Sequence, residues 1–297
     1  MNGRPLLLFA LMSLIWGIPY LFIRIAVAEV SPAFLVLART GIAAAILLPL
    51  ALVRVDLRPV LARWRWLVAF AAIEIAIPWV LLGSAEQKVS SSLAALVIAG
   101  VPLVGVAIAL LTGRSERLGP VGLLGLLVGI VGVLAIVGSD FGSTDPIAFV
   151  ELAAVAVCYA LGPAILARRL GGLPSVGVMS LSLGLTFLVY VPIAALQWPS
   201  ALPSPAVIGS ILTLAIVCTA IAFLVFAALI DAVGPVRATV ITYINPAVAA
   251  VLGVIVLNET LTPAMIAGFG LVTLGSVLAT RPPRAQPAEA VPAPSTG

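Results

Sequence analysis

The chain has no histidine and only two cysteines, Cys158 and Cys218, among its 297 residues. Without imidazole, and with two isolated thiols inside apolar runs, a zinc or haem centre has almost no ligands. Neither metal nor cofactor is expected. A disulfide is open on paper, and buried free thiols are the plainer reading. Lysine occurs once, at Lys88, beside fourteen arginines. Charged residues make up 9% of the chain, where a soluble domain carries about 25%. With 63% hydrophobic residues and a mean hydropathy of +1.28, the class is an all-α integral membrane protein. The net charge of +4 does not point to nucleic acid, because the basic residues sit in short breaks between apolar runs. No Gly-x-Ser-x-Gly and no phosphate-cradling loop with a Lys occurs, so no catalytic set and no enzyme are expected.

What the chain does have is long oily segments. A spanning helix needs about 20 mostly apolar residues. On that basis ten segments are predicted, near 5–25, 33–53, 65–83, 90–111, 120–138, 147–166, 175–195, 207–229, 235–257 and 262–279. The first is too long for a signal peptide and lacks a small-residue cleavage site before Arg24, so it reads as a span. The Pro- and Ala-rich end, 281–297, reads as a disordered cytoplasmic tail. With the N-terminus inside, Arg54, Arg58, Arg63, Arg65, Arg114, Arg117, Arg168, Arg169, Arg237, Arg281 and Arg284 all fall inside. The outside loops hold only Lys88, with Arg24 near the outer edge. Both termini are therefore expected in the cytoplasm of a multi-pass cell-membrane protein.

The two halves repeat. "VPLVGVAIALLTGRSERLGPVGLLGLLVGIVGVL" from Val101 aligns with "NPAVAAVLGVIVLNETLTPAMIAGFGLVTLGSVL" from Asn245. Pro102 meets Pro246, Glu116 meets Glu259, Pro120 meets Pro263, Gly125 meets Gly268 and Gly132 meets Gly275. The offset is five helices. Five is odd, so the second copy is expected upside down, a recurring plan among secondary transporters. The matched loops agree: "GRSER" carries two Arg and "LNETL" none. The expected domains are a first five-helix repeat over 1–140 and an inverted second over 141–280.

These blocks, with "WG" at Trp16–Gly17, "SPAFLVLART" ending at Arg39, and "SSSLAALVIAGVPL", resemble the EamA-type permeases of the drug/metabolite transporter superfamily over about residues 6–280. The resemblance implies a five-plus-five inverted repeat, alternating access and movement of small metabolites, often outward. In the second copy the Trp-Gly position falls near Tyr159–Ala160.

Charges within spans carry the most information. Glu74 lies mid-segment in "VAFAAIEIAIPWVLL" and costs at least about 2.5–3.5 kcal/mol if it faces lipid. It is either a proton or cation site or a structural carboxylate bonded between helices. Arg39 lies about 9 Å into the second span. It either lines the cavity, holding a substrate carboxylate or pairing with Glu74, or snorkels. Arg24 reads as an anchor or gate element. Trp16, Trp79, Tyr159 and Tyr243 either stack on substrate or pack between helices. "TYINP" places Tyr243 and Asn245 beside Pro246, and Pro78 and Pro102 make similar helix breaks. Glu116 and Glu259 each precede a helix-starting Pro by four residues and read as charges suited to that helix end. Asp140, Asp145 and Glu151 read as solvated loop carboxylates. The glycines at 122, 125, 129, 132, 268 and 275 read as close helix contacts.

The expected function is secondary transport of a small organic metabolite, amino-acid-like or drug-like, by export or exchange. Helices 1–4 and 6–9 would surround the cavity, and 5 and 10 would be packing elements. Proton coupling would run through Glu74. An uncoupled importer or uniporter, and a non-transporting scaffold, stay open. Expected partners are the substrate, the lipid bilayer and protons, with no nucleic acid. Monomer and homodimer are both open.

Overall fold

The computed structural model describes residues 3–112, 119–138, 145–233 and 238–280. Arg114, Arg117, Arg237, Arg281, Arg284, Glu116, Asp140 and the tail 281–297 lie outside the described residues. Within them the chain is all helix, without strands. Eight helices are long and apolar enough to cross a membrane. They are α1 (Gly3–Ala26), α2 (Pro32–Arg54), α3 (Trp64–Glu86), α4 (Ser91–Leu111), α5 (Pro120–Gly138), α6 (Pro146–Arg169), α7 (Ser175–Ala195) and α8 (Pro205–Ile230). Two further apolar helices, α9 (Ile241–Leu257) and α10 (Pro263–Ala279), are shorter. The segment expected over 235–257 is thus only partly α-helical. Thr239–Tyr243 winds as a 3₁₀ turn, and the α-helix proper starts at Asn245. Pro246 accounts for this: it has no N–H to continue a preceding helix and suits the first turn of a new one.

The even-numbered helices share a start signal. Ser31, Ser90, Asp145, Ser204 and Thr262 each accept a backbone N–H from the first turn of α2, α4, α6, α8 and α10, at 2.9–3.4 Å. Pro follows the cap in four of the five. Such caps satisfy N–H groups that water cannot reach in a bilayer. Asp145 is therefore a helix cap as well as the solvent-exposed carboxylate expected from the sequence.

Large apolar side chains fill the core and also cover the outside of the bundle, as they do not in a soluble one. Along α5, Gly122, Gly125, Gly129 and Gly132 face inward, while Leu123, Leu127, Ile130 and Leu134 are exposed. With lipid as the neighbour, apolar area gives no drive to helix association, so small residues and close contact do. The α5–α10 pair is the tightest example. A Cβ on Gly132 would lie 2.7 Å from the Gly268 carbonyl oxygen, and one on Gly268 would lie 2.7 Å from the Gly132 oxygen. Only glycine permits that approach.

The main contacts between the halves pair α1 with α8 and α9, α6 with α3 and α4, α2 with α8, and α7 with α3. To these are added α2–α7, α4–α9 and α5–α10. Replacing each helix by its counterpart five positions away leaves these pairs unchanged, but α4 also packs on α10 without a comparable α5–α9 contact among the described residues. The pairing is therefore close to two-fold, not exact.

Candidate functional site

Two spans unwind at matching positions. In α3, Ala71–Ala76 is π-helical, with the Ile77 N–H bonded to the Ala72 carbonyl. In α8, Thr213–Ile221 is π-helical too. Each π turn inserts a residue and frees backbone groups, a feature found often at functional sites. Pro78 begins the α-helical stretch after the first π turn, and Pro102 begins a fresh one in α4 after a turn at Gly100.

Glu74 lies within the first π stretch. Its carboxylate fills space that only Gly162 of α6 leaves open: a Cβ on Gly162 would occupy the carboxylate's position. Oε2 is buried with no hydrogen-bond partner. Tyr190 of α7 donates to the Ala76 carbonyl at 2.8 Å and so braces the same π turn. Cys158 and Tyr159, one turn before Gly162, interact electrostatically with Glu74. Both cysteines are free thiols.

Arg39 faces the second π stretch. It is 8% exposed, so its guanidinium does not reach solvent. Nε donates to Thr219 Oγ1 at 2.9 Å, and the guanidinium carbon sits 3.6 Å over the Trp79 ring. Thr219 Oγ1 donates in turn to the Leu214 carbonyl at 2.7 Å, a group that the π winding exposes. Arg39 does not pair with Glu74; among the described residues the one ion pair is Lys88–Glu151. Stacking and a neutral hydroxyl hold the cation in place without cancelling its charge.

Glu74, Arg39, Trp79 and Tyr159 thus gather between the halves. Trp16, Tyr243 and Asn245 do not join them. Trp16 packs on Phe226 with ring centroids 4.7 Å apart. Asn245 donates to the Ser13 and Ile241 carbonyls, at 3.1 and 2.9 Å, and so ties α1 to the 3₁₀ turn before Pro246. The Tyr243 hydroxyl lies 3.5 Å from Thr280 Oγ1 at the far end of α10. The polar groups of Asn245 and Tyr243 serve the α1–α9–α10 junction.

One end of the bundle is closed by polar links between the halves. Lys88 pairs with Glu151 at 2.9 Å, and Ser84 donates to the same carboxylate at 2.7 Å. Glu151 is thus a bridging group, not the solvated acid expected. Ser31 donates to the Gln197 carbonyl, and the Ser204 N–H donates to Glu29 at 2.7 Å. These bonds hold the Glu29 carboxyl below its ordinary range, the Ser204 side chain most and its N–H next. Glu259 accepts from the Ser91 and Ser92 N–H groups, at 2.8 and 2.9 Å, and from Ser92 Oγ. It does cap a helix start, but that of α4 in the other half, not that of α10. Arg24 donates to the Glu86 backbone carbonyl. Sequence reasoning missed Thr219, Tyr190, Gly162 and Glu86.

A bundle of apolar spans with a charged, enclosed centre between equivalent halves is the architecture of a membrane transporter. The model of the EamA-like transporter family matches this chain twice, over residues 3–138 and 147–281. The protein belongs to the EamA-like transporter family and is a multi-pass membrane protein. It is 28% identical to "Uncharacterized inner membrane transporter YedA" of Escherichia coli (strain K12), over 97% of this chain and 94% of that one. It is 26% identical to "Uncharacterized transporter YvbV" of Bacillus subtilis (strain 168), over 97% and 95%. A solved structure described as "Crystal structure of protein" matches the fold with a TM-score of 0.64. The match has 22% identity and covers 94% of this chain and 98% of that one.

Proposed function

We propose that the protein is a secondary transporter of the cytoplasmic membrane that exports or exchanges a small organic molecule by alternating access. The carrying observation is the central pair of ionisable groups without ion-pair partners: Glu74 with an unpartnered oxygen, and Arg39 held by Thr219 and Trp79. An ammonium group could meet Glu74, and a carboxylate could meet Arg39. That complementarity favours an amino-acid-like zwitterion or a cationic drug-like compound. Glu74 also serves as the proton-coupling group, since an unpaired buried carboxylate is cheap only when it carries a proton.

Residues 1–140 and 141–280 are read as inverted repeats, ten spans in all. The principal helix pairs, which map onto one another on exchange of the halves, support this. Arg54, Arg58, Arg63, Arg65, Arg168 and Arg169 lie at one end, which is read as cytoplasmic. The end latched by Lys88–Glu151 and Glu259 is then the outer one, shut in this state.

Flux in proteoliposomes, across an amino-acid and drug panel, tests the reading. The wild type should move at least one zwitterionic or cationic compound, faster under a pH gradient. Glu74→Gln should lose the pH dependence. Unchanged flux and unchanged pH dependence in that variant would sink the proton role.

A further inference from the structure

Glu86 is the second buried carboxyl of α3, and the transport site does not use it. It is 0% exposed, and neither Oε1 nor Oε2 has a hydrogen-bond partner. The groups around it are all accounted for. From α1, Arg24 hydrogen-bonds the backbone carbonyl of Glu86 and also acts electrostatically on its carboxyl, and Tyr20 interacts with it too. From α6, Tyr159 interacts with it; from the α9–α10 loop, Glu259 does. The nearby Glu151 and Lys88 are paired with each other. Glu259, with three donors at the start of α4, is in a setting that favours its anion. A second anion beside it, buried and with no donor on its oxygens, has only the Arg24 cation to offset the Glu259 charge.

Water comes close. An open depression of about 660 Å³ is lined by Arg24, Val27, Glu29, Gln87, Ser204 and Leu257. Another of about 350 Å³ is lined by Ser90, Leu257, Asn258 and Glu259. Leu257 is common to both, so they flank the Glu259 latch.

We propose that Glu86 is a proton-binding site that controls the Glu259 latch, separate from Glu74. With its proton on, Glu86 sits neutral beside the Glu259 anion and the latch holds. When the carboxylic O–H ionises, the proton passes to water in the depression beside Arg24. The new carboxylate draws the Arg24 guanidinium from the backbone carbonyl and repels Glu259. Ser91 and Ser92 are released, and the two halves part at this end. The site rests on the transport reading for its purpose, but its chemistry can be read without a substrate.

The test uses full-length protein in proteoliposomes, with Cys158 and Cys218 replaced by Ala and a reporter thiol introduced by Ser91→Cys. Ser91 is fully buried in the latched state, so a water-soluble maleimide reports unlatching. Labelling, normalised to that of an exposed reporter cysteine at the same pH to remove the thiol's own ionisation, should rise with pH by up to about tenfold per unit, as a one-proton equilibrium requires. Glu86→Gln should label slowly at every pH and lose one protonated-carboxyl band in the infrared spectrum. Glu86→Asp should keep a pH dependence, and Glu259→Gln should label fast throughout. A Glu86→Gln profile that matches the parent, or an intact infrared band, overturns the proposal. Neither readout involves flux, so that failure leaves the transport reading standing, whereas a silent substrate panel removes the transport reading alone.

Discussion

The π turns of α3 and α8 occupy equivalent places in the two halves and are dressed in opposite ways. The first carries its own charge, Glu74, and leaves one oxygen without a partner. The second carries no charge. It offers a threonine hydroxyl, Thr219, to an arginine supplied by α2. The backbone solution is thus shared while the chemistry is divided, acid on one side and base on the other. An exact two-fold pair would have put like charges together at the centre, which low dielectric punishes. The lesson is that symmetry of the scaffold and asymmetry of the site are compatible, because the π turn fixes where polar groups go and not which ones they are.

The largest effect should come from filling the space that the first turn depends on. Gly162→Val drives a side chain into the Glu74 carboxylate and should cost about 1–3 kcal/mol, the range for overpacking. A thermal melt of the purified protein reads it. Gly105→Ala, whose Cβ would rest 4.0 Å from that of Ala160, should melt like the parent. Next is the second turn. Arg39→Lys keeps the charge but loses the planar stack on Trp79 and the Nε bond to Thr219. Transport efficiency should drop roughly tenfold, the equivalent of about 1.4 kcal/mol. Parent-like flux would mean that the second turn needs only a cation.

Tyr190→Phe is milder. It removes one hydrogen bond to the Ala76 carbonyl and should cost about 0.5–1.5 kcal/mol, visible as a small fall in melting temperature. If the melt does not move, the first turn is held by Gly162 and Glu74 alone. The smallest effect concerns how α8 begins. Glu29 is held below its ordinary value by Ser204, so its contribution is full above the unfolded-state value. It fades as pH falls through the lower folded value. Melts at descending pH should show that loss in the parent and not in Glu29→Gln.

Much of the centre was legible from residue type. Glu74 and Arg39 stand out because charges are rare in spans, and Trp79 and Tyr159 were chosen as aromatics at similar depth. Trp16 and Tyr243, read on the same grounds, lie away from the centre, since an aromatic inside a helix gives no sign of which neighbour it meets. Thr219 was invisible because hydroxyls are common in membrane helices and bond to their own backbone by default. Its role depends on a π turn that no hydrophobic period reveals in an all-apolar run. Glu86 hid in "AEQK", which reads as a polar loop although α3 runs on to include it. Glu259 was judged by its neighbour Pro263, four residues on. Its partners Ser91 and Ser92 are on the other half, beyond the reach of local pattern.

At Gly132 and Gly268, α5 and α10 meet backbone to backbone, with no side chain between them to act as a lubricant. Sliding one helix by a single residue would press a Cβ against a carbonyl. The pair therefore works as a keel: it ties the last helix of each half to the other and leaves them no play. Under the alternating-access proposal, opening at either end of the bundle would pivot about this line, a fixed frame of reference built into the molecule.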